Sequence, residues 1–236
     1  MAKNRIHLYN AASSRAIDND ATAPIAQGGL GITGYDLMTR AAAYALASFC
    51  ERWPDAPGFS LFCGKGNNAG DGYVMAQMAK QLGLDVQIFA AVDPSLLTGD
   101  AHRAYHECLA NGLLIEDLGA PIRHLIIVDA LLGTGFYPPV REDIASAISR
   151  INAHTGDILS LDLPSGVSAD RGVWGGRSDE HVRASLTVSF ITRKVGLHTG
   201  AGIAARGALL VADLGVPAAI FARYPSISLL NWSSSR

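Results

Sequence analysis

The sequence predicts an α/β fold, a three-layer sandwich in which helices cover both faces of a mostly parallel central sheet. Short apolar runs alternate with amphipathic segments along most of the chain, as in folds built from strand–helix–strand units. Several runs are apolar at every position, which is typical of strands buried on both faces of a parallel sheet. No obvious linker interrupts the alternation. We therefore expect one domain over residues 1–217, followed by a tail or the start of a linker over residues 218–236.

Local patterns predict the individual elements. Residues 35–52 are rich in alanine and leucine and place apolar residues on one face, which indicates an amphipathic helix that ends before Pro54. Residues 71–83 repeat apolar side chains at i, i+3, i+4 and i+7, and Gly83 is placed to end this helix. The remaining predicted elements are helices over 99–112 and 139–154, and strands in GFSLFCG, DVQIFAA, HLIIVDALLGTG, DILSLDLPSG, SLTVSFI and GALLVADLG.

Composition and charge argue against several classes of protein. The chain has 236 residues and a net charge of −2, so it lacks the basic surface that a nucleic-acid partner requires. No apolar stretch approaches the roughly 20 residues of a membrane helix, and the N-terminus lacks the apolar core of a secretory signal. The cysteines are odd in number and widely spaced, which argues against a disulfide framework. We expect a cytoplasmic protein with buried thiols.

Polar residues follow four of the predicted strands. They occupy residues 67–71, 129–135, 162–166 and 193–196. The carboxyl ends of parallel strands meet at one rim of the sheet, and ligands of α/β proteins bind beyond that rim. The sequence therefore predicts a single site made by these four segments.

The segment CGKGNNAGDG joins a predicted strand to a predicted helix. Its first three glycines give GxGxxxG, one residue longer than the dinucleotide-binding fingerprint, and no GK[ST] completes a Walker loop. Backbone N–H groups at a helix N-terminus still favour phosphate. The alternative is a tight turn in which Asn67 and Asn68 are the turn and capping residues. The NNAGD run favours a ligand, because two amides and a carboxylate exceed what a turn requires.

Two aspartates end neighbouring apolar runs. Asp129 ends LIIVD, and Asp162 lies in LSLDLPSG, where Ser165 follows. A buried aspartate is costly unless it is paired or binds a cation, although each of the two is also placed to cap the next segment. With Asn68 they offer oxygen ligands to a hard cation, either magnesium or a monovalent ion. Lys194 follows another strand and either neutralises a ligand phosphate or a carboxylate, or extends to solvent.

Other chemistries have weaker support in the sequence. The seven histidines show no pair at metal spacing, and no serine lies in a GxSxG elbow, so triad hydrolysis is not indicated. A redox enzyme of the dinucleotide-binding type would need the fingerprint that is missing here.

The motifs GKGNNAGDGYVMAQMAKQLG, IIVDALLGTGF, LSLDLPSGVSADRG and LTVSFITRKVGLHTGAG occur in this order, between YDLMTRAA and GALLVADLGVP. Over about residues 8–217 the chain resembles the NAD(P)H-hydrate epimerase family, the YjeF N-terminal domain. The resemblance implies a Rossmann-like fold and an isomerase. Such an enzyme interconverts the R and S forms of NADHX and NADPHX, nicotinamide cofactors hydrated at C6. The resemblance also implies a homodimer and a functional link to an ADP- or ATP-dependent dehydratase that repairs the S form.

The resemblance also assigns site residues. It implies a potassium ion beside the substrate, with Asn68, Asp129 and Ser165 as the matching ligands. The matching substrate contacts are Asn67, Asn68, Ala69, Gly70, Asp71, Gly133, Thr134, Gly135 and Asp162. For the reaction we expect Asp162 to act as acid and base at the C6 hydroxyl, with Lys194 as a second catalytic residue. The alternative function is a nucleotide-binding or protein-interaction module of the same fold without catalysis.

The chain departs from the family pattern at one position of the glycine loop. The usual NNGGD is NNAGD here, with Ala69 in place of a glycine. If that position needs a positive φ, alanine costs about 1 kcal/mol. Otherwise the substitution is harmless.

Overall fold

The computed structural model describes residues 5–173 and 180–230, and its centre is a seven-stranded parallel sheet. Its strands are β2 (Gly58–Cys63), β3 (Asp85–Ala90), β4 (Ile115–Glu116), β5 (Ile126–Ala130), β6 (Asp157–Leu161), β9 (Leu186–Phe190) and β10 (Ala208–Ala212). They lie in the order β10-β9-β6-β5-β2-β3-β4, and every neighbouring pair is parallel. The predicted α/β fold class is confirmed.

Helices cover both faces of the sheet, and the strand side chains alternate between two cores. The helices are α1 (Ala11–Thr22), α2 (Gly34–Arg52), α3 (Asn67–Gln81), α4 (Gly99–Ala110), α5 (Glu142–Asn152), α6 (Gly202–Ala205) and α7 (Ala218–Phe221). Phe59 and Leu61 of β2 join the core formed with α2, α3 and α4. Phe62 of the same strand joins the second core, against Ile148 and Ile151 of α5. This period-2 alternation makes the three layers.

The order of the strands creates a switch point between β2 and β5. From β2 the chain moves outward through β3 and β4, then returns to β5 on the other side of β2 and continues outward through β6, β9 and β10. Connections therefore leave β2 and β5 in opposite directions along the sheet. In open α/β sheets the crevice at such a point is where ligands bind.

Both ends of the domain meet in a small antiparallel sheet that the sequence did not predict. The strand β1 (Arg5–Leu8) pairs with β11 (Ile227–Leu230). Residues 218–230, expected from the sequence to be a tail or the start of a linker, form α7 (Ala218–Phe221) and β11 and return to the start of the chain. Residues 231–236 lie outside the described part. A further short pair, β7 (Val167–Ser168) and β8 (Gly172–Val173), follows the end of β6.

Most predicted helices and strands are found near their predicted positions, with one important shift. The helix expected from residue 71 begins at Asn67, so the NNAGD run forms its first turn rather than a loop before it. Gly83 has a left-handed backbone conformation, with a φ of +84°, and follows the end of the helix as predicted. Cys63 and Cys108 are buried, Cys50 is partly buried, and all three are free. Within residues 5–173 and 180–230, no helix combines the length and apolarity that a membrane crossing needs.

Candidate functional site at the switch point

The N-terminus of α3 opens at the switch point. Gly66 is its N-cap residue and supplies no side-chain hydrogen bond, because it has no side chain. The carbonyl of Gly66 accepts hydrogen bonds from the N–H groups of Ala69 and Gly70. The helix end is thus formed by backbone alone, with its partial positive charge directed at the crevice. Such an end suits an anionic ligand group.

The residues of the NNAGD turn divide between the crevice and the core. Asn67 is exposed at the rim, whereas Asn68 is buried and donates from Nδ2 to the carbonyl of Leu132, 2.9 Å away. Ala69 is fully buried in the core and helical, so its departure from glycine needs no positive φ. A side chain at Gly70 would collide with Met38 of α2. Ala69 and Gly70 thus face the packed layers. Only the backbone atoms of these two residues can contact a ligand.

One buried acceptor in this region has no partner. Asn68 is 7% exposed, and its Oδ1 makes no hydrogen bond. An unpaired buried carbonyl oxygen is costly. The Asn68 Oδ1 atom is therefore a candidate ligand for a cation or for a donor group on a bound molecule.

Asp129 is completely buried at the end of β5 and is held by four hydrogen bonds. Its Oδ1 accepts from the Ser165 hydroxyl (2.6 Å) and the Leu131 N–H (3.2 Å). Its Oδ2 accepts from the Ser160 hydroxyl (2.8 Å) and the Ser165 N–H (2.9 Å). Burial raises the pKa of Asp129 in spite of these bonds. No basic side chain within residues 5–173 and 180–230 compensates the charge of Asp129.

Asp162 follows β6 in a strained turn that directs its carboxylate. Its φ is +65°, and the N–H of Leu163 bonds to the carbonyl of Leu161 across it, which defines a γ-turn. Strain of this kind concentrates at functional sites. Asp162 Oδ2 accepts from the N–H of Thr134 (2.6 Å) and from its hydroxyl (2.7 Å). The turn and these bonds fix the carboxylate at the rim.

Lys194 forms a buried ion pair with Asp162. Lys194 is 2% exposed, and its Nζ lies 2.6 Å from Asp162 Oδ1 and 3.1 Å from the hydroxyl of Ser189. Burial would raise the pKa of Asp162, but the Lys194 ammonium and the hydrogen bonds from Lys194 and Thr134 outweigh it, so the net pKa is lowered. Of the two interpretations of Lys194, the structure therefore supports neutralisation of a carboxylate rather than extension to solvent.

The loop after β5 passes close to Asp162. A side chain at Gly133 would come within 2.9 Å of Asp162 Oδ2 and 3.3 Å of Asn68 Cβ, so the backbone there has no room for one. Thr134 bonds to Asp162 as described, whereas Gly135 is exposed at the rim. The segments expected to converge after β2, β5, β6 and β9 are therefore in contact around Asp162 and Asn68.

Besides Asp129, two further carboxylates of the site have raised pKa values. Asp71 is partly exposed on α3, and its pKa is raised well above the ordinary value by removal from bulk water and by the charges of Asp162 and Asp18. The pKa of Asp18 of α1 is also raised, because burial and the charge of Asp162 outweigh the opposite effect of Lys194. Three carboxylates thus share one ammonium group.

Asp18 was missed by the sequence analysis. Its helix is tied to the loop after β9, because the N–H of Tyr9 bonds to the carbonyl of Arg193 (2.8 Å) and the hydroxyl of Ser14 lies 2.7 Å from that of Thr192. These contacts join residues that are far apart in the sequence, so no local pattern around Asp18 predicts them.

The expectation that no histidine pair has metal spacing is wrong. His102 and His106 lie one turn apart on α4, with 2.9 Å between their Nε2 atoms. Both are exposed. No group of three or more histidine, cysteine, aspartate or glutamate side chains that could hold a metal occurs in residues 5–173 and 180–230, so the pair lacks further ligands of these types.

Known proteins match both the sequence and the fold. The chain is 39% identical over 205 residues to the bifunctional NAD(P)H-hydrate repair enzyme Nnr of Coxiella burnetii, an alignment covering 86% of this chain and 41% of the relative. It is 33% identical to the NAD(P)H-hydrate epimerase of Legionella pneumophila, covering 84% of this chain and 77% of that protein. The chain thus spans about two fifths of the first relative's length and most of the second's.

A known structure has a similar fold. The crystal structure of yeast ynu0 superposes with a TM-score of 0.73 at 22% identity, covering 90% of this chain and 91% of that one. The family described as YjeF-related protein N-terminus matches residues 34–196, which include α3 and all four segments of the rim. The chain belongs to this family of YjeF-related protein N-termini.

Proposed function

We propose that the protein is an NAD(P)H-hydrate epimerase, an isomerase that interconverts the R and S forms of NADHX and NADPHX. The observation that carries the proposal is the buried Asp162–Lys194 ion pair, set beside the open N-terminus of α3 at the switch point. A dinucleotide needs an anion site for its phosphates and a separate polar site for its reacting ring, and this crevice offers both. The relative of similar length is named NAD(P)H-hydrate epimerase, which supports the same function.

In this proposal the N-terminus of α3 and the exposed Asn67 hold phosphate, as helix N-termini do. The hydrated ring lies toward Asp162, bordered by the loop of Gly133, Thr134 and Gly135. Ala69 and Gly70 contribute backbone only, because the space beside them is filled by the core. Contacts to the remote nucleotide orient the ring for reaction.

Epimerisation requires the C6–O bond to break and to form again on the other face of the ring. The lone pair of the ring nitrogen expels the oxygen and leaves a planar cation. An ionised carboxylate stabilises that cation, and Lys194 and Thr134 keep Asp162 ionised. We therefore assign Asp162 to stabilising charge, not to the proton transfer that we expected from the sequence. Lys194 holds Asp162 in place.

The residues matched to a potassium site suit such an ion. Asn68 Oδ1 is a buried oxygen without a partner, and the Asp129 charge lacks a basic partner among the described residues. The hydroxyl of Ser165 is buried next to Asp129. One carboxylate with neutral oxygens favours a monovalent ion over magnesium. Bound potassium would balance the charge of Asp129 and link the strand ends.

The first test is epimerisation of purified R-NADHX by the protein in potassium chloride and in choline chloride, with R and S resolved by chromatography. We expect acceleration above the spontaneous rate that depends on potassium. Thermal unfolding supplies a second readout, because an ion at 100 times its Kd stabilises the folded state by about 2.7 kcal/mol. Replacement of Asn68 by alanine should remove the potassium-specific increase in Tm.

The two readouts separate the possible failures. A folded protein that binds the dinucleotide without accelerating epimerisation would be a nucleotide-binding module instead of an enzyme. An Asn68→Ala protein with an unchanged response to potassium would place the ion elsewhere.

We further propose a homodimer that forms beside β10. This strand ends the sheet, and Leu210 on it is 37% exposed, near the surface groove that includes Tyr44, itself 40% exposed. Leu210→Lys should convert the dimer into a monomer in sedimentation experiments. The matched control is Leu114→Lys, because Leu114 is 76% exposed next to β4 at the other end of the sheet. A monomeric parent protein, or equal effects of both substitutions, would contradict this surface.

The proposed function also implies a partner reaction. The S form would be the substrate of an ADP- or ATP-dependent dehydratase, and the relative named as a bifunctional repair enzyme supports a link to a second repair step. We place the protein in the cytoplasm, and its three free cysteines support a reducing compartment.

A further inference from the structure

Asp71 differs from Asp129 and Asp162 in being partly exposed and in having a carboxylate that accepts no hydrogen bond from the described residues. Asp162 uses one oxygen for Lys194 and the other for Thr134. Asp129 is fully buried and accepts four hydrogen bonds. Asp71 is partly exposed and has no hydrogen-bond partner among residues 5–173 and 180–230. A group that transfers protons must reach the reactant and change its charge, and of these three only Asp71 is free to do so.

The position of Asp71 on α3 brings it to the crevice. It lies four residues after Asn67, so the two side chains share one face of the helix, one turn apart. Asn67 is exposed at the rim. Asp71 therefore lies one turn below the open helix end, within electrostatic reach of Asp162 and Lys194.

Asp18 approaches the same place from α1. The helix is fixed by the contact between Ser14 and Thr192, two residues before Lys194. Asp18 lies one turn after Ser14 on the same face. It has no hydrogen-bond partner for its carboxylate among the described residues, and its charge acts on Asp71.

We propose that Asp71 is the group that exchanges a proton with the C6 hydroxyl of the substrate, and that Asp18 is a positioning residue for it. The proposal rests on the epimerase function proposed above and supplies the acid that function needs. Two carboxylates in contrasting environments then have different roles. Neutral Asp71 transfers the proton, and ionised Asp162 stabilises the cation.

In the proposed reaction, protonation of the C6 hydroxyl precedes loss of water. Asp71 gives its proton to the hydroxyl oxygen, the C6–O bond breaks with its electron pair on oxygen, and water leaves. The lone pair of the ring nitrogen forms the C=N bond of the cation, which faces ionised Asp162. Water then adds to C6 on the opposite face, the C=N pair returns to nitrogen, and the released proton returns to Asp71 through water.

The charges around Asp71 agree with this role. Asp18 faces it from α1 and Asp162 from the end of β6, and both raise the pKa of Asp71, as does removal from bulk water. Lys194, after β9, is the one basic group acting on it among the described residues, and it lowers the pKa. The net effect is a raised pKa, so Asp71 holds a proton at a pH where Asp162 does not.

The test compares Asp71→Asn, Asp18→Asn and Asp20→Asn with the parent protein in the full chain with potassium. Asp71→Asn should lower kcat by roughly 10²–10⁴-fold, the usual contribution of an acid–base group, with a smaller change in KM. Asp18→Asn should move the limb on which the rate falls with rising pH toward lower pH, because the loss of its charge lets Asp71 lose its proton sooner. Asp20 lies on the same helix as Asp18 and forms an ion pair with Arg223. Asp20→Asn is therefore the matched control and should leave that limb unchanged.

An infrared spectrum supplies a readout independent of activity. At a pH above the range in which an ordinary aspartate loses its proton, the parent protein should retain a carboxylic acid carbonyl band that Asp71→Asn lacks, because the pKa of Asp71 is raised. An active parent with an equally active Asp71→Asn protein, or the same infrared band in both, would overturn the role of Asp71. An unmoved pH profile in Asp18→Asn would overturn the role of Asp18. A parent protein without epimerase activity would overturn the proposed function, and this role with it. A circular dichroism melt checks folding, and Asp71→Ser provides a second variant if Asp71→Asn unfolds.

Discussion

Replacing Lys194 with methionine should lower the free energy of unfolding by about 3–5 kcal/mol, the usual result of removing one partner of a buried ion pair. Methionine fills a similar volume but leaves Asp162, which is 8% exposed, without its cation. The Ser189 hydroxyl also loses a partner. Urea denaturation of the two proteins at pH 7 measures the difference. Epimerase activity should be lost in the same variant, because Asp162 is no longer held in its ionised form.

The pH dependence of this difference provides a sharper test. In the parent protein the pKa of Asp162 is lowered on folding, so its contribution to stability is present above the unfolded pKa and is lost as the pH falls through the folded value. In Lys194→Met the burial of Asp162 dominates and raises its pKa above that of the unfolded chain. Folding then favours the protonated carboxyl. The difference in stability should therefore be largest at neutral pH and should shrink as the solution becomes acidic.

A double variant separates the ion pair from simple packing. In Asp162→Asn with Lys194→Met, neither member of the ion pair leaves an unpaired buried charge, so the protein should recover part of the stability lost in Lys194→Met alone. Equal unfolding free energies for the single and double variants would show that the loss comes from packing of the lysine chain. In that case the Asp162–Lys194 pair would not explain why Lys194 is buried.

The sequence predicted where the site lies because strand ends are local features. Asp129 and Asp162 follow apolar runs, and a parallel sheet brings such ends together whatever the details of the helices. The switch point depends on the order of the strands, which no single segment of the sequence determines. The structure shows it, because β2 lies between β3 and β5.

Other parts of the site depend on contacts distant in sequence. Asp18 reaches the crevice because α1 is fixed by Thr192, 178 residues after Ser14. The charge state of Asp162 depends on Lys194, 32 residues away in the chain. Sequence position alone suggested Asp162 as the proton donor, whereas the mechanism that we propose gives this role to Asp71. The early start of α3 was missed because its N-cap is Gly66, which lacks the side chain that normally marks a helix start.

A pair of glycine substitutions tests how the backbone shapes the crevice. Gly64 follows β2, and a Cβ atom there would lie 2.0 Å from the carbonyl oxygen of Leu131, a backbone atom that cannot move without displacing the turn after β5. Gly64→Ala should therefore destabilise the protein by about 3 kcal/mol, at the upper end of ordinary overpacking. The measurement is chemical denaturation at constant pH and potassium concentration.

Gly66 provides the matched control, because it lies two residues further along the same segment. A Cβ atom there meets no other heavy atom within 4 Å, and its φ of −112° is accessible to alanine. Gly66→Ala should therefore leave stability unchanged or raise it by roughly 0.4–1 kcal/mol, since alanine restricts the unfolded chain. If both substitutions destabilise equally, flexibility of the glycine segment is what matters. If only Gly64→Ala does, the close approach of the ends of β2 and β5 is what requires glycine, and the second glycine of the motif is retained for the ligand and not for the fold.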